Sequence, residues 1–241
     1  MDILRAFQLA RHPKEFRQRL ARKVRSRLHS RRVDQALRNA RGVIHIGANT
    51  GQERDIYDRH DLAVLWVEPI PTVFATLTQN TASFPKQRCL NALVADTDGR
   101  EFTLNIASND GASSSILELA DHRDIWPDIH YVDAIRLHSI TLPTLLRSAG
   151  LVAEQYDILT LDTQGSELLI LKGAAPLLRE FAFIRAEAAD FESYVGCAKR
   201  HEITDFLDGY GFKEWVVEAF AGTESRSGGN YYDILYRNVS M

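Results

Sequence analysis

Four acidic residues and one glycine-containing loop follow the apolar runs that predict β-strands. The acids are Glu68, Asp96, Asp162 and Glu187, and the loop spans Gly47–Gly51. In an open α/β sheet, ligands bind at the carboxyl ends of the strands, so these residues should meet at one edge. Carboxylates accept hydrogen bonds from hydroxyl groups and attract cations. The pattern predicts an acidic, concave site for a cationic, hydroxyl-rich ligand.

The elements that must position these residues are short apolar runs that alternate with helical patterns from residue 43 onward. The predicted core strands are Val43–Ile46, Ala63–Val67, Leu90–Ala95, Tyr156–Leu161 and Phe181–Ala186. Two later runs, Lys213–Phe220 and Tyr231–Arg237, predict an antiparallel pair, and Glu101–Ala107 predicts an extra strand. Strands and helices that alternate in this way are typical of βαβ units. We therefore expect a Rossmann-like α/β fold, with a mostly parallel seven-stranded sheet, helices on both faces and an antiparallel edge hairpin.

The positions of the acids relative to the loop indicate which ligand groups they meet. Glu68 stands 17 residues beyond Gly51, where a carboxylate accepts hydrogen bonds from both ribose hydroxyls. Asp96 is placed to accept a hydrogen bond from an adenine amino group. S-adenosylmethionine fits such a site, because its sulfonium and ammonium groups are positive and it carries no phosphate. A nicotinamide oxidoreductase is disfavoured, since the loop lacks the third glycine of the pyrophosphate fingerprint.

Four separated segments resemble the FkbM-type methyltransferase family. They are Ile46–Gly51, then Glu68–Pro71 with Phe74, Leu77 and Asn80, then Asp110–Ser115, and last Leu161–Glu167 with Leu171–Ala174. The resemblance covers about residues 43–238 and keeps the family's order and spacing. It implies a methyltransferase domain that moves a methyl group from S-adenosylmethionine to a hydroxyl of a sugar, glycoconjugate or natural product.

The resemblance and the strand ends together give the candidate site residues. The cofactor-binding set is His45, Gly47, Ala48, Asn49, Gly51, Glu68, Pro69, Asp96, Ser113, Ser114 and Asp162. Methyl transfer needs the acceptor oxygen in line with the leaving sulfur, and a base that takes the hydroxyl proton assists it. We expect Asp162 to position the reactants and Glu187 to act as acceptor or base on the substrate side. The expected site requires no metal, and a divalent ion between these two acids is the alternative.

Two positions depart from the family pattern. His45 stands where the family usually has an aspartate that orients the methionine end of the cofactor, and Gln164 stands in a segment that is often Val-Glu-Gly. The first change removes an anion, and the second puts an amide near the site of transfer. Two other interpretations therefore stay open: a non-catalytic binding protein with a degenerate methyltransferase fold, and a methyltransferase for another class of acceptor.

Residues 108–138 form a long connection that we expect to cover the substrate. The segment is irregular and polar, with Trp126 and Tyr131, whose aromatic faces suit a sugar ring. A surface lid packed on the core explains the same features. His122, His130 and His138 are additional candidates for the base, and Ser113–Ser115 should cap a helix start.

The N-terminal region differs in charge from the rest of the chain. Residues 1–42 hold 13 Lys and Arg against three acids, a net charge of +10, so a total of −3 leaves −13 for residues 43–241. Phe16, Leu20, Val24 and Leu28 recur at intervals of four, as on one face of a helix. We expect a basic helical extension over 1–42 and a methyltransferase domain over 43–241. The extension either packs on the acidic body or binds an anionic membrane surface. Nucleic acid is disfavoured, because the acidic body would repel phosphates.

The remaining composition points to a cytoplasmic protein of 241 residues. Cys89 and Cys197 are far apart and in no metal-binding pattern, which fits a reducing compartment. The N-terminus lacks the apolar segment of a signal peptide, and no run reaches the roughly 20 apolar residues that span a bilayer. We expect a cytoplasmic location, with peripheral attachment to the inner face of the membrane as a variant. A homo-oligomer is compatible with the sequence.

Overall fold

The computed structural model describes residues 31–220 and 228–240, in which ten strands alternate with seven α-helices. The helices are α1 (Arg31–Asn39), α2 (Arg54–Arg59), α3 (Pro71–Thr81), α4 (His122–Ile125), α5 (Leu142–Ser148), α6 (Glu167–Gly173) and α7 (Arg200–Asp208). The strands are β1 (Gly42–Ile46), β2 (Ala63–Val67), β3 (Gln87–Leu90), β4 (Leu93–Val94), β5 (Glu101–Ala107), β6 (Tyr131–Ile140), β7 (Ile158–Leu161), β8 (Phe183–Ala189), β9 (Phe212–Ala219) and β10 (Tyr231–Asn238). Short 3-10 turns cover Ala153–Gln155 and Ala175–Glu180.

Seven of the strands form one sheet in the order β3-β2-β1-β7-β8-β10-β9. The first five strands in this order pair in parallel, and β10 runs antiparallel to both β8 and β9. The expected mostly parallel seven-stranded sheet with an antiparallel edge hairpin is confirmed. Strand order reverses at β1, which lies between β2 and β7, and such a switch point opens a crevice for ligands at the carboxyl ends.

The alternation of side chains along β1 explains the two apolar layers of the core. Ile44 and Ile46 belong to the layer that packs on α5, α6 and α7, whereas Val43 belongs to the layer under α1, α2 and α3. All five residues of β1 are buried, as expected for a central parallel strand covered on both faces. Full burial of each branched side chain of β1, those of Val43, Ile44 and Ile46, contributes about 1.5–3 kcal/mol to the free energy of folding.

The predicted strand Leu90–Ala95 is wrong as a single element. Leu90 ends β3 in the main sheet, whereas Leu93 and Val94 form β4, which pairs with β6 in a separate three-stranded sheet. Between them, the side chain of Asn91 donates hydrogen bonds to the carbonyl oxygens of Glu68 and Pro69. These bonds hold the chain at the end of β2 and terminate the first strand.

A second difference concerns the segment expected to be irregular. Its last part is β6, which pairs antiparallel with β5 over seven residue pairs. Val132, Arg136 and His138 on this strand are exposed, so the strand lacks the apolar alternation by which a half-buried strand is recognised.

Helix α1 packs on the domain through three buried residues, Val33, Ala36 and Leu37. Just beyond it, Arg41 pairs with Asp157 at 2.5 Å, at the start of β7. Most of the predicted basic extension, including the stripe from Phe16 to Leu28, lies outside the described residues. Among the helices that are described, none is long and apolar enough to cross a bilayer.

Candidate active site

The loop after β1 is held against the ends of both neighbouring strands. The backbone N–H groups of Gly47 and Ala48 donate to the Val67 carbonyl oxygen of β2 at 3.0 and 3.1 Å. Gly47 has a φ of 81°, and a Cβ added there would lie 1.9 Å from the carbonyl oxygen of Asp162. The loop therefore approaches the end of β7 so closely that only glycine fits. Gly51, with a φ of 73°, closes the turn by donating to the Ala48 carbonyl.

The carboxylate of Glu68 is fixed beside this loop. It is 4% exposed, and its two oxygens accept hydrogen bonds from the backbone N–H groups of Asn49 at 2.8 Å and Ile70 at 3.0 Å. Burial raises the pKa of Glu68 to about 7, the two backbone hydrogen bonds oppose this shift, and the charge of Asp162 adds to it. The site thus places one preoriented carboxylate at the end of β2, next to Pro69.

Asn91 stands beside Glu68, at the position after β3 where the sequence led us to expect Asp96. Asp96 instead follows β4, and its Cα lies within 2.8 Å of where a Cβ on Gly173 would be. Gly173 is the last residue of α6. It lies about 9 Å along the helix axis from Glu167, the first residue of α6, which is near the edge of the sheet. The signal for Asn91 is its place directly after the four-residue strand that pairs with β2.

A side-chain amide connects the two candidate catalytic acids. The Nε2 of Gln164 donates to Oδ1 of Asp162 at 2.8 Å and to Oε2 of Glu187 at 3.1 Å. Its Oε1 accepts a hydrogen bond from the Tyr194 hydroxyl at 2.7 Å. Asp162 is exposed just beyond β7, and Glu187 is half-buried in β8, opposite Asp233. The structure thus brings Asp162 and Glu187 together, and sequence reasoning missed that Gln164 and Tyr194 join them.

The loop that carries Gln164 is shaped by Glu167, the first residue of α6. Its carboxylate accepts hydrogen bonds from the N–H groups of Thr163 at 2.9 Å and Gly165 at 3.0 Å, and from the Thr163 hydroxyl at 3.1 Å. Burial raises the pKa of Glu167 to about 7. Glu167 was part of a family segment in the sequence, but its role in fixing this loop follows only from the hydrogen bonds.

His45 lies in β1, just before the loop Gly47–Gly51, within an aromatic group. Its ring centroid is 5.0 Å from that of Trp66 and 6.2 Å from that of Tyr57, whose hydroxyl is 3.3 Å from Nδ1. The residue is 3% exposed. Burial lowers the pKa of His45 to about 3, and the nearby charge of Arg185 adds to this effect. The imidazole is therefore neutral at physiological pH and packs in the layer beneath α2.

The serine-containing loop is held by hydrogen bonds to β5 and to the loop that carries Gln164. Ser113 exchanges two hydrogen bonds with Asn109, and the Ser114 hydroxyl accepts from the N–H of Ala107 at 3.0 Å. The expected helix start is wrong, because Ser115 forms an antiparallel bridge with Asn105 instead. The Ser115 hydroxyl also donates to the Gln164 carbonyl at 2.7 Å, which ties this loop to the one that carries Gln164.

The three candidate histidines of residues 108–138 differ in their exposure. His122 is buried, with its ring centroid 4.6 Å from that of Trp126 and 5.2 Å from that of Tyr194. Burial lowers the pKa of His122 to about 4. His130 and His138 are exposed. The described residues contain no group of three or more His, Cys, Asp or Glu side chains that could hold a metal ion.

Comparison with known proteins agrees with the geometry. The family described as the methyltransferase FkbM domain matches residues 45–214. The 2-O-methyltransferase NoeI of Sinorhizobium fredii (strain NBRC 101917 / NGR234) is 25% identical over 207 residues, which cover 83% of this chain and 80% of NoeI. Among solved structures, the magnesium protoporphyrin IX methyltransferase ChlM from Synechocystis PCC 6803 with bound SAM has a TM-score of 0.52 at 11% identity. The match covers 95% of this chain and 83% of ChlM, and it shows a shared fold.

Proposed function

Since the chain belongs to the FkbM methyltransferase family, we propose that it is an O-methyltransferase that uses S-adenosylmethionine and acts on a sugar, glycoconjugate or natural product. The observation that carries this proposal is the placement of two carboxylates, Asp162 and Glu187, on one amide at the edge of the sheet. The name of the relative NoeI, a 2-O-methyltransferase, supports a hydroxyl acceptor.

The residues at the loop fit the proposed cofactor. Each carboxylate oxygen of Glu68 is held in place by one backbone N–H, from Asn49 or Ile70. Each oxygen therefore keeps a second lone pair that can accept a hydrogen bond from a ribose hydroxyl. Asn49, Gly47 and Gly51 adopt positive φ angles, so the backbone between β1 and α2 can approach a ligand closely. Asp162 and Glu187 supply negative charge for a cationic donor.

In the proposed mechanism, S-adenosylmethionine held by these residues would supply an electrophilic methyl group, and its sulfur would keep the electron pair of the broken C–S bond. Glu187 accepts the proton that the acceptor hydroxyl loses as the C–O bond forms, and later releases it to solvent. Asp162 positions the reactants, and Glu68 orients the ribose. A base of this kind contributes typically about 10²- to 10⁴-fold to the rate.

Calorimetry with S-adenosylmethionine tests the cofactor assignment. We expect the Glu68→Gln variant to lose affinity by about 10-fold or more, because an amide cannot accept from both backbone N–H groups and also from a hydroxyl. Glu101→Gln is the matched control, since Glu101 is exposed on β5 and forms only a 3.9 Å ion pair with Arg136. Absence of binding by the folded wild-type protein would instead support a non-catalytic binding protein.

A radiolabelled methyl-transfer assay on fractionated cell extracts tests the acceptor class. The expected labelled product is a carbohydrate-containing or small hydroxylated molecule, whose methyl group survives mild base as an ether does. Label that is recovered only in nucleic acid or protein would contradict the proposed acceptor class while leaving the cofactor assignment intact.

We also propose that the basic N-terminal residues attach the protein to anionic membrane surfaces. The support is the charge of +10 on residues 1–42 against −13 on the remainder. A variant without residues 1–30 keeps α1 and its buried contacts, so the domain should still fold and bind cofactor. We expect the full chain to float with phosphatidylserine vesicles at low salt and the shortened one to remain behind. Equal flotation of both proteins would refute the attachment.

A further inference from the structure

Hydrogen bonds from or to other side chains hold both the side-chain amide and the backbone carbonyl of Gln164. Its amide nitrogen donates to two carboxylates, its amide oxygen accepts from Tyr194, and its backbone carbonyl accepts from Ser115. Its φ of 56° lies in the left-handed region, which is uncommon for a residue other than glycine. Such a backbone conformation persists where the surroundings enforce it, and it often marks a functional position.

The Tyr194 hydroxyl determines which way the amide faces. A hydroxyl proton needs an acceptor, and the amide oxygen is the acceptor that it meets at 2.7 Å. The amide nitrogen, with its two hydrogens, must then face Asp162 and Glu187. Each carboxylate then receives one N–H hydrogen bond from the same amide, so the amide fixes the orientation of both acids.

A glutamate at this position would not hold the acids in this way. It would bring a third carboxylate within about 3 Å of the other two, and closely spaced carboxylates cannot all be ionised near neutral pH. The neutral amide of Gln164 lies between the two carboxylates and donates to both without adding a third negative charge.

We propose that Gln164 is a positioning residue for methyl transfer, which holds the carboxylates of Asp162 and Glu187 in fixed orientations through one N–H each while Tyr194 fixes its amide. The inference rests on the proposed function, because its purpose is to keep Glu187 ready to accept the acceptor proton. Gln164 itself acts only through the two acids.

The first test follows the amide itself in the free protein, with no cofactor or acceptor. Selective ¹⁵N-glutamine labelling gives side-chain NH₂ signals, and the Gln164 signal is identified by its loss in Gln164→Met. We expect the hydrogens of this amide to exchange at least about 10-fold more slowly than those of exposed Gln155. Tyr194→Phe should remove this protection. A Gln164 signal that behaves like that of Gln155 would overturn the proposal.

The second test compares pH profiles of methyl transfer for matched variants. Gln164→Glu and Gln164→Met keep the length of the side chain and meet the same backbone constraint at φ 56°. We expect Gln164→Glu to move the acidic limb of the kcat profile up by roughly one pH unit. Gln164→Met should lower kcat by about 10- to 100-fold, a larger factor than any increase in the KM for cofactor. Circular dichroism and thermal melting establish that each variant is folded.

The two tests separate this proposal from the proposed function. A protected Gln164 amide in a protein that methylates no hydroxyl would refute O-methylation and leave the arrangement of the acids standing. An active O-methyltransferase whose pH profile is the same in Gln164→Glu and wild type would overturn the role of Gln164 alone.

Discussion

Replacement of Gly47 by alanine should disturb the loop and the end of β7 together. The added Cβ would stand 1.9 Å from the carbonyl oxygen and 2.7 Å from the carbonyl carbon of Asp162, both of which are backbone atoms. A φ of 81° adds a conformational cost of about 1–2 kcal/mol for a residue with a Cβ. Relief of the contact by movement of packed backbone costs about 1–3 kcal/mol more. We therefore expect the free energy of unfolding to fall by about 2–5 kcal/mol.

Gly99→Ala is the matched control for this prediction. Gly99 has a φ of 75°, but a Cβ added there meets nothing within 4 Å, so the control carries only the conformational cost of about 1–2 kcal/mol. Urea unfolding compares the two variants, and calorimetry with S-adenosylmethionine measures affinity. We expect Gly47→Ala to weaken binding by about 10- to 100-fold, because both Asp162 and the loop shift, and Gly99→Ala to leave it unchanged. Equal destabilisation by the two substitutions would refute the close approach of the loop to β7.

Three further predictions concern residues around the site. Because the pKa of His45 falls from 6.5 to about 3 on folding, the unfolded chain binds the extra proton below pH 6.5. The free energy of unfolding of the wild type, relative to that of His45→Phe, should therefore fall by about 1.4 kcal/mol for each pH unit from pH 6 to pH 4, as measured by urea unfolding. If this difference between the two proteins stayed constant with pH, it would contradict a buried neutral imidazole. Asp233→Asn should destabilise the fold by about 3–5 kcal/mol, because it leaves Arg185 buried without its carboxylate. Glu214→Gln, which breaks a more exposed ion pair with Arg200, should lower the free energy of unfolding by at most about 1 kcal/mol. Equal destabilisation by Asp233→Asn and Glu214→Gln in urea unfolding would refute this contrast. Asn91→Ala should weaken cofactor binding in calorimetry by about 10-fold, because Asn91 holds the backbone of Glu68. Asp96→Ala should weaken it less. A larger loss of affinity in Asp96→Ala than in Asn91→Ala would favour Asp96 as the residue that contacts the adenine.

The central sheet could be predicted from sequence because its parallel strands are buried on both faces. Such strands are short, continuous apolar runs, as Val64–Val67 illustrates with four buried residues in succession. The division of Leu90–Ala95 could not be predicted, because one polar residue within the run, Asn91, ends β3 through hydrogen bonds to a distant segment. Likewise β6 pairs with both β4 and β5 in a small sheet, but half of its residues are exposed, so its apolar pattern is weak.

The candidate site was predictable where it depends on strand ends and not where it depends on distant partners. Glu68 and Asp162 follow β2 and β7 directly, so the order of the strands brings both to one edge. The orientation of Gln164 depends on Tyr194, 30 residues further along the chain, and no local pattern shows that contact. The inward position of His45 was available from strand parity, because it shares the face of Val43 rather than that of Ile44.

The pairing of Leu119 with Tyr194 has a mechanical consequence for access to the site. The N–H groups of Ala120 and His122 donate to the Ser193 carbonyl, so the covering segment and the chain that carries Tyr194 form one small ladder. Displacement of this ladder to admit an acceptor would carry the Tyr194 hydroxyl away from the amide of Gln164. The hydrogen bond that orients the amide of Gln164 therefore depends on the ladder staying in place.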